Sequence, residues 1–346
     1  MIKVKISTPW NIDFDTNISK QLKSNFKFDF ADSCKNCDFW VIWGGIKTTQ
    51  EKVFCPPQNV IYVTDEVHEG RFFYKAFLDQ FPAVFTCRPD INHSSVIFTH
   101  ELNTWMVNGD FDTLFGNPVP AKTKLLSLVC SDQTWLPGHK LRFAFVNKLI
   151  GHFKDRIDVF GRGFNPIDCK NDALAPYKYS VAIENSVVPG YFTEKIADCY
   201  LMHTLPLYYG CPDIDTYFDP ASYMLLNPAD YKGSISKIEA LLEDDPYEQL
   251  LPALQHAREK YLFNYHIFNA LPRLLSNHFN PGLPKQKVCI KAENTFERGY
   301  SANIFLKKVM RRLPAMANNF QLSFKQADLY ANPKNEYAKN IFSSLK

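Results

Sequence analysis

The chain has 346 residues, 46% of them hydrophobic, with 29 Phe and 17 Tyr. That is ample material for a core, more than one domain usually holds, and it excludes a disordered or low-complexity protein. The net charge of +3 hides an asymmetry: residues 285–346 carry 12 Lys/Arg against 4 Asp/Glu, a balance of +8 that leaves −5 for residues 1–284. A basic tail on an acidic body is not the pattern of a general nucleic-acid binder, so no nucleic-acid partner is expected.

MIKVKIST reads at once as a strand (2–7), without the apolar core of a signal peptide or the length of a membrane span. Strand-like runs recur around Phe39–Trp43, at NVIYVT (59–64) and at AVFTC (83–87), and GRFFYKAFLDQ (70–80) suits a short helix between the last two. The nine cysteines form no disulfide framework, and the CKNC pair Cys34/Cys37 has no second CxxC to complete a metal cage, so buried free thiols are expected. NPVPAK (117–122), with two prolines and no periodicity, marks a domain boundary.

Beyond it the alternation resumes. KLLSLVCS (124–131) reads as a strand, KLRFAFVNKLIGHF (140–153) as a helix, RIDVFG (156–161) and YSVAI (179–183) as strands. YFTEKIADCYLMH (191–203) reads as a helix, LPLYYG (205–210) as a strand and SISKIEALLE (234–243) as a helix. The expectation is α/β: two Rossmann-like domains facing each other across a cleft, residues 1–118 and 119–284, followed by the tail 285–346. In the tail, SANIFLKKVMRRL (301–313) is an amphipathic helix candidate ended by Pro314. It suits an anionic membrane surface, a brace crossing back to the first domain, or a solvated extension.

The densest chemistry lies at ENSVVPGYFTEK. The strand YSVAI, its loop, the helix and LPLYYG form one parallel crossover, which puts residues 184–195 at the carboxyl edge where ligands of such sheets bind. Lys195 in the first helical turn opposes the helix dipole by up to about 1 kcal/mol and makes sense beside an anion such as a diphosphate. Glu194 suits that helix end in its own right, Asn185 suits a turn and Tyr191 suits the core.

The segment YKYSVAIENSVVPGYFTEKIADCYLMHTLPLYYGCPDI resembles the donor-binding motif of the α-1,3/4-fucosyltransferases, glycosyltransferase family 10. The likeness extends over about 124–225 and more faintly over 58–100. It implies a GT-B fold and an inverting transfer of L-fucose from GDP-β-L-fucose to a hydroxyl of an acceptor glycan or lipid-linked oligosaccharide, of GlcNAc/LacNAc type with an α-1,3 or α-1,4 linkage. By resemblance, Asn185, Tyr191, Glu194 and Lys195 contact the nucleotide sugar. LVCSDQTWLPGHKLRFAFVNKL is similar to the segment that supplies Ser131 and a phosphate-clamping arginine, Arg142, with Lys140 as its rival; Arg162 in RIDVFGRGF is a weaker candidate. NVIYVTDEVHEG is similar to the segment holding the general base, which maps to Glu66, with Asp65 and Glu69 as alternatives.

No obligatory cofactor is implied, and a divalent metal would at most stimulate: three D-x-D pairs (Asp13/Asp15, Asp110/Asp112, Asp213/Asp215) show how little that pattern selects. His100–Glu101 and His152 read as structural. The resemblance, with no leader or anchor in view, implies a bacterial-type member working in the cytoplasm, with the tail as its route to the inner face of the membrane. Two rivals stand beside this reading: a transferase of the same fold using another nucleotide sugar, and a non-catalytic glycan or nucleotide binder.

Overall fold

The computed structural model describes residues 1–11, 14–67 and 70–299. In its first part, β1 (Ile2–Ser7), β2 (Phe26–Asp29), β3 (Phe39–Trp43), β4 (Gln50–Cys55), β5 (Val60–Val63), β6 (Ala83–Thr86) and β7 (Val96–Phe98) alternate with the short helices α1 (Lys20–Lys23) and α2 (Lys75–Leu78). Six of the strands form a parallel sheet in the order β2-β1-β3-β5-β6-β7. Strand β3 shows why the sequence reads as a run rather than an alternation: all five residues are buried. Phe39, Val41 and Trp43 face one core cluster, and Trp40 and Ile42 face another on the opposite side. A parallel sheet is covered on both faces, so both sets of side chains leave water.

The connection passes through α3 (Phe111–Gly116) into β8 (Lys124–Val129), α4 (Pro137–Phe153), β9 (Asp158–Phe160), α5 (Lys170–Leu174), β10 (Tyr177–Ile183), α6 (Glu194–Leu201), β11 (Leu205–Tyr209) and β12 (Met224–Leu225). These five strands form a second parallel sheet, β12-β11-β10-β8-β9. Helices α7 (Tyr231–Asp244) and α8 (Tyr247–Lys260) follow, then α9 (Ile267–His278) and β13 (Gln286–Lys291). The two-domain Rossmann-like plan expected from the sequence is the plan observed.

Two of the departures from the sequence reading change the packing. The helix expected over 70–80 is confined to Lys75–Leu78. Phe73 is held instead against Tyr62 and between the guanidinium groups of Arg71 and Arg88, each 4.8 Å from its ring. The second difference is larger. Helix α9 lies within the span 119–284 assigned to the second domain, yet its Ile267, Phe268, Leu271 and Leu275 join the core of the first. The chain therefore crosses back at about residue 266, and β13 then pairs antiparallel with β4 along six residues. An apolar stripe must be covered, and the face of the first sheet that carries Val4, Ile6 and Val41 covers it. The helix candidate 301–313 lies outside the described residues.

Among the described residues no helix is long and apolar enough to cross a membrane. Cys34 and Cys37 are buried free thiols.

Candidate functional site

Each sheet reverses direction once: β9 and β10 flank β8, and β2 and β3 flank β1. Such a switch point opens a crevice beyond the carboxyl ends of the two central strands, where ligands of open α/β sheets bind. In the second sheet Ser131 follows β8, and Glu184 and Asn185 follow β10. A cleft of about 300 Å³ opens there, lined among others by Ser131, Arg142, Asn185, Glu194, Lys195 and Lys170. A wider groove of about 590 Å³ beside β4 and β13 holds none of these residues.

Arg142 enters from α4. It shares a helix face with the buried Phe145, Val146, Leu149 and Phe153 and is itself buried, whereas Lys140 is exposed. Its guanidinium donates to the Asn185 side-chain oxygen and, at 3.3 Å, to Ser131 Oγ. Its Nε is buried without a partner among the described residues, a donor left over for a ligand. The approach of α4 depends on Gly138, where a Cβ would stand 1.7 Å from the Asn185 carbonyl oxygen. Arg162 lies on the cleft's outer wall, 3.5 Å from Asp132, with both side chains largely in water.

The helix expected over 191–203 begins only at Glu194 because Thr193 caps it. Thr193 is fixed by Glu184, a buried carboxylate that the sequence offers only as a turn former at the strand end. Glu184 accepts the Thr193 amide and hydroxyl, both at 2.8 Å, and lies 3.2 Å from Lys195 Nζ. Lys195 also lies 3.3 Å from Glu194. The strain expected of a cation in a first turn is thus already offset by two carboxylates. Burial opposes the charge on Lys195, but Glu184 and Glu194 outweigh it and raise its pKa. Burial likewise works against the Glu194 carboxylate, yet Lys195 and Lys170 hold its pKa down at about 2. Lys170, also missed, opens α5 and reaches across to Asp198 at 2.7 Å and Glu194 at 3.8 Å. No local pattern in CKNDAL announces it; only the packing of α5 beside α6 brings it to the cleft.

Tyr191 does not line this cleft. It is sealed between the domains with Val188, Val67 and Cys87. The adjoining loop is pinned by the Glu101 amide, which donates to the Gly190 carbonyl at 2.8 Å, and by the stacking of His100 on Phe192.

Across the cleft stands Glu66, just after β5. Its side chain is exposed, and its carboxylate makes no hydrogen bond or ion pair with the described residues. Crowding by the cleft walls raises its pKa; the Lys195 charge pulls it down and the Glu194 charge pushes it up. Its backbone carbonyl accepts from Arg88 at 2.9 Å. Asp65 is engaged otherwise: Arg71 grips both its oxygens at 2.7 and 2.8 Å, and burial lifts its pKa to about 6 against that pull. Glu69 lies outside the described residues.

The D-x-D pairs have other employment. Asp110 caps α3 and Asp213 accepts the Gly190 amide, while Asp13 lies outside the described residues. Among the described residues no three His, Cys, Asp or Glu side chains converge as metal ligands would. His100 Nε2 donates to the Tyr265 carbonyl at 2.8 Å, with its pKa lowered by burial to about 4, and His152 pairs with Glu239 at 2.7 Å; both have the structural roles expected of them.

Residues 119–245 match the family model described as glycosyltransferase family 10 (fucosyltransferase) C-term. The α-(1,3)-fucosyltransferase FucT of Helicobacter pylori is 41% identical over 71 residues, which is 20% of this chain and 14% of that protein. The human 4-galactosyl-N-acetylglucosaminide 3-α-L-fucosyltransferase 9 is 28% identical over 177 residues, 49% of this chain and 46% of that one. These matches span less than half the length of either relative. Among solved structures, an α1,3-fucosyltransferase with GDP aligns over 77% of this chain and 92% of its own at 17% identity and a TM-score of 0.46. The resemblance read from the ENS…TEK segment is borne out by the family match.

Proposed function

From the family 10 fucosyltransferase domain at residues 119–245, we propose that the protein is an inverting fucosyltransferase, moving L-fucose from GDP-β-L-fucose to a hydroxyl of an acceptor glycan. The observation that carries this reading is the cleft at the second switch point, where Arg142, Lys170 and Lys195 converge opposite the unpaired carboxylate of Glu66.

In this mechanism Arg142 forks onto the diphosphate, a geometry a planar guanidinium suits. Lys195 and Lys170 add point charges, and Asn185 and Ser131 hold the fork in place. Glu194 holds the two lysines and reaches the donor's fucosyl side. Tyr191, packed beside Val67, sets the distance between the domains. The acceptor hydroxyl attacks C1 of fucose from the face opposite the phosphate. As the new C–O bond forms, the C1–O bond to GDP breaks, the proton passes to Glu66, and the electron pair leaves on the diphosphate. A raised pKa suits Glu66 to that task, because a base works best when its pKa approaches the working pH. The leaving diphosphate is held by Arg142, by the two fixed lysines and by amide groups at the start of α6, so turnover is expected without a divalent metal. The acceptor is of GlcNAc or lipid-linked oligosaccharide type, with linkage set by first-domain loops.

A nucleotide-sugar panel read by mass shift, with and without a chelator, tests this together with Glu66→Gln. GDP-fucose alone should be consumed, and general-base loss should lower kcat about 10²–10⁴-fold. Turnover of Glu66→Gln within threefold of the unsubstituted protein would sink the base, and consumption of another donor in preference would sink the sugar.

A further inference from the structure

The candidate base has a cation for a near neighbour. Arg71 and Glu66 belong to the same β5–α2 connection, and the Arg71 charge already acts on the Glu66 carboxyl. The turn between them is tight, with the Arg71 amide donating to Val67 O at 3.0 Å and a Cβ on Gly70 lying 3.3 Å from Glu66 Oε2, so an arginine free to move would pair with this exposed carboxylate and take it out of proton transfer.

Arg71 is not free to move. Its Nη1 donates to the Gly44 carbonyl at 2.7 Å and to both Asp65 oxygens, and its Nη2 donates to Glu293 Oε2 at 2.7 Å. Glu293 comes from the far end of the chain, just past β13. That segment is moored to the first domain at several points. The β13–β4 ladder runs the length of β13; the Ala292 amide donates to Thr49 O at 2.9 Å, and Gln80 exchanges hydrogen bonds with Lys291 at 2.9 and 3.1 Å. Phe296 packs on Phe77. The second oxygen of Glu293 is buried without a partner among the described residues. For stability alone this is a poor arrangement, because a partly buried carboxylate with half its acceptor capacity unmet offsets much of what the ion pair contributes.

We propose that Glu293 is a positioning residue for the transfer reaction: with Asp65 it holds the Arg71 guanidinium away from Glu66 and so leaves the base unpaired. The inference rests on Glu66 being that base. Among the described residues, the other charged and titratable groups facing Glu66 are Asp65, Arg88 and Glu101 from the first domain and Glu194, Lys195 and Tyr191 from the second. None of them changes when Glu293 loses its charge. Arg71 does: its Nη1 stays on Gly44 and Asp65, while its Nη2, released from Glu293, is left free to turn toward the Glu66 carboxylate.

The test is steady-state kinetics on the full chain with GDP-fucose and an accepted glycan, as a function of pH. Glu293→Gln should lower kcat about tenfold, leave KM for GDP-fucose within twofold, and move the acid limb of kcat/KM down by about half a pH unit or more. Glu293→Asp, which keeps the charge on a shorter stem, should recover part of both changes. A purely structural role would lower the melting temperature without moving the limb. Should Glu293→Gln not fold, Arg71→Lys carries the same expectation, since an ammonium keeps the charge but loses the fork that spans two carboxylates. A limb at its original pH in whichever variant folds overturns the proposal, provided Glu66→Gln is inactive. If Glu66→Gln remains active, the base assignment falls first and the positioning role falls with it.

Discussion

Replacing Arg142 with alanine isolates the proposed phosphate contact from the rest of the cleft. Its guanidinium is buried, its two bonds go to the neutral Asn185 and Ser131, and its Nε has no described partner. Each charge-assisted bond to a diphosphate is worth about 1.5–3 kcal/mol, so a two-bond fork could contribute about 3–6 kcal/mol. Lys170 and Lys195 remain and water refills part of the gap, which leaves an expected loss of about 2–3 kcal/mol, or roughly a 30- to 150-fold rise in Kd for GDP. Calorimetric titration with GDP measures it, with a urea melt alongside because the variant also strands the Asn185 oxygen. Lys140→Ala, on the exposed side of the same helix, is the control and should bind GDP within a factor of about two. Arg142→Ala binding GDP within threefold of the unsubstituted protein would show that the cluster is a buried structural network and not a ligand clamp.

Gly138→Ala should do comparable damage without touching a charge. Its Cβ would meet the backbone oxygen of Asn185, so α4 must retreat at a cost of about 1–3 kcal/mol and carry Arg142 with it. Gly151→Ala, in open space on the same helix, should instead stabilise by about 0.5–1 kcal/mol; thermal melts that moved in the same direction would refute the contrast. Burial lifts the pKa of Glu101 to about 8. The folded state therefore keeps its proton where the unfolded chain has lost it, and stability falls as pH rises from about 4.5 to about 8. Glu101→Gln removes that term, so between pH 6 and 8 urea melts of the variant should lose about 2 kcal/mol less than the original chain; parallel losses would refute the assignment.

Much of the candidate site in the second domain was legible because it is local. A strand, a loop and a capped helix lie within 25 residues, and the crossover rule alone puts their junction at the sheet's carboxyl edge. The sequence reading left Arg142 and Lys140 open, although helix phase separates the buried one from the exposed one. Arg142 leads Phe145, Leu149 and Phe153 by three, seven and eleven positions, while Lys140 stands about 200° away around the axis. What escaped is what distant chain segments make together. Lys170 is one lysine in a polar stretch until α5 settles beside α6. The stripe Ile267–Leu275 shows a face to bury but not which sheet will bury it. Residues 286–291, short and rich in lysine, read as tail because their partner strand lies more than 200 residues earlier.

The charges in the cleft explain why the phosphate question turns on Arg142. Lys195 stands between Glu184 and Glu194, and Lys170 between Asp198 and Glu194. Three cations with Arg142 face three carboxylates, so the pocket has no surplus of positive charge to offer. A diphosphate entering it would be held by placement instead: by the one cation whose partners are neutral, and by amide groups at the start of α6. In such a site the lysines serve best where they are already fixed. The carboxylates that seem to blunt them are what fixes them, since a lysine ammonium on a four-carbon stem loses far more freedom on finding an anion unaided. That reasoning separates the two kinds of substitution. Removing Glu184 or Asp198 should loosen the cleft and the fold together, whereas removing Arg142 should cost the ligand more than the fold.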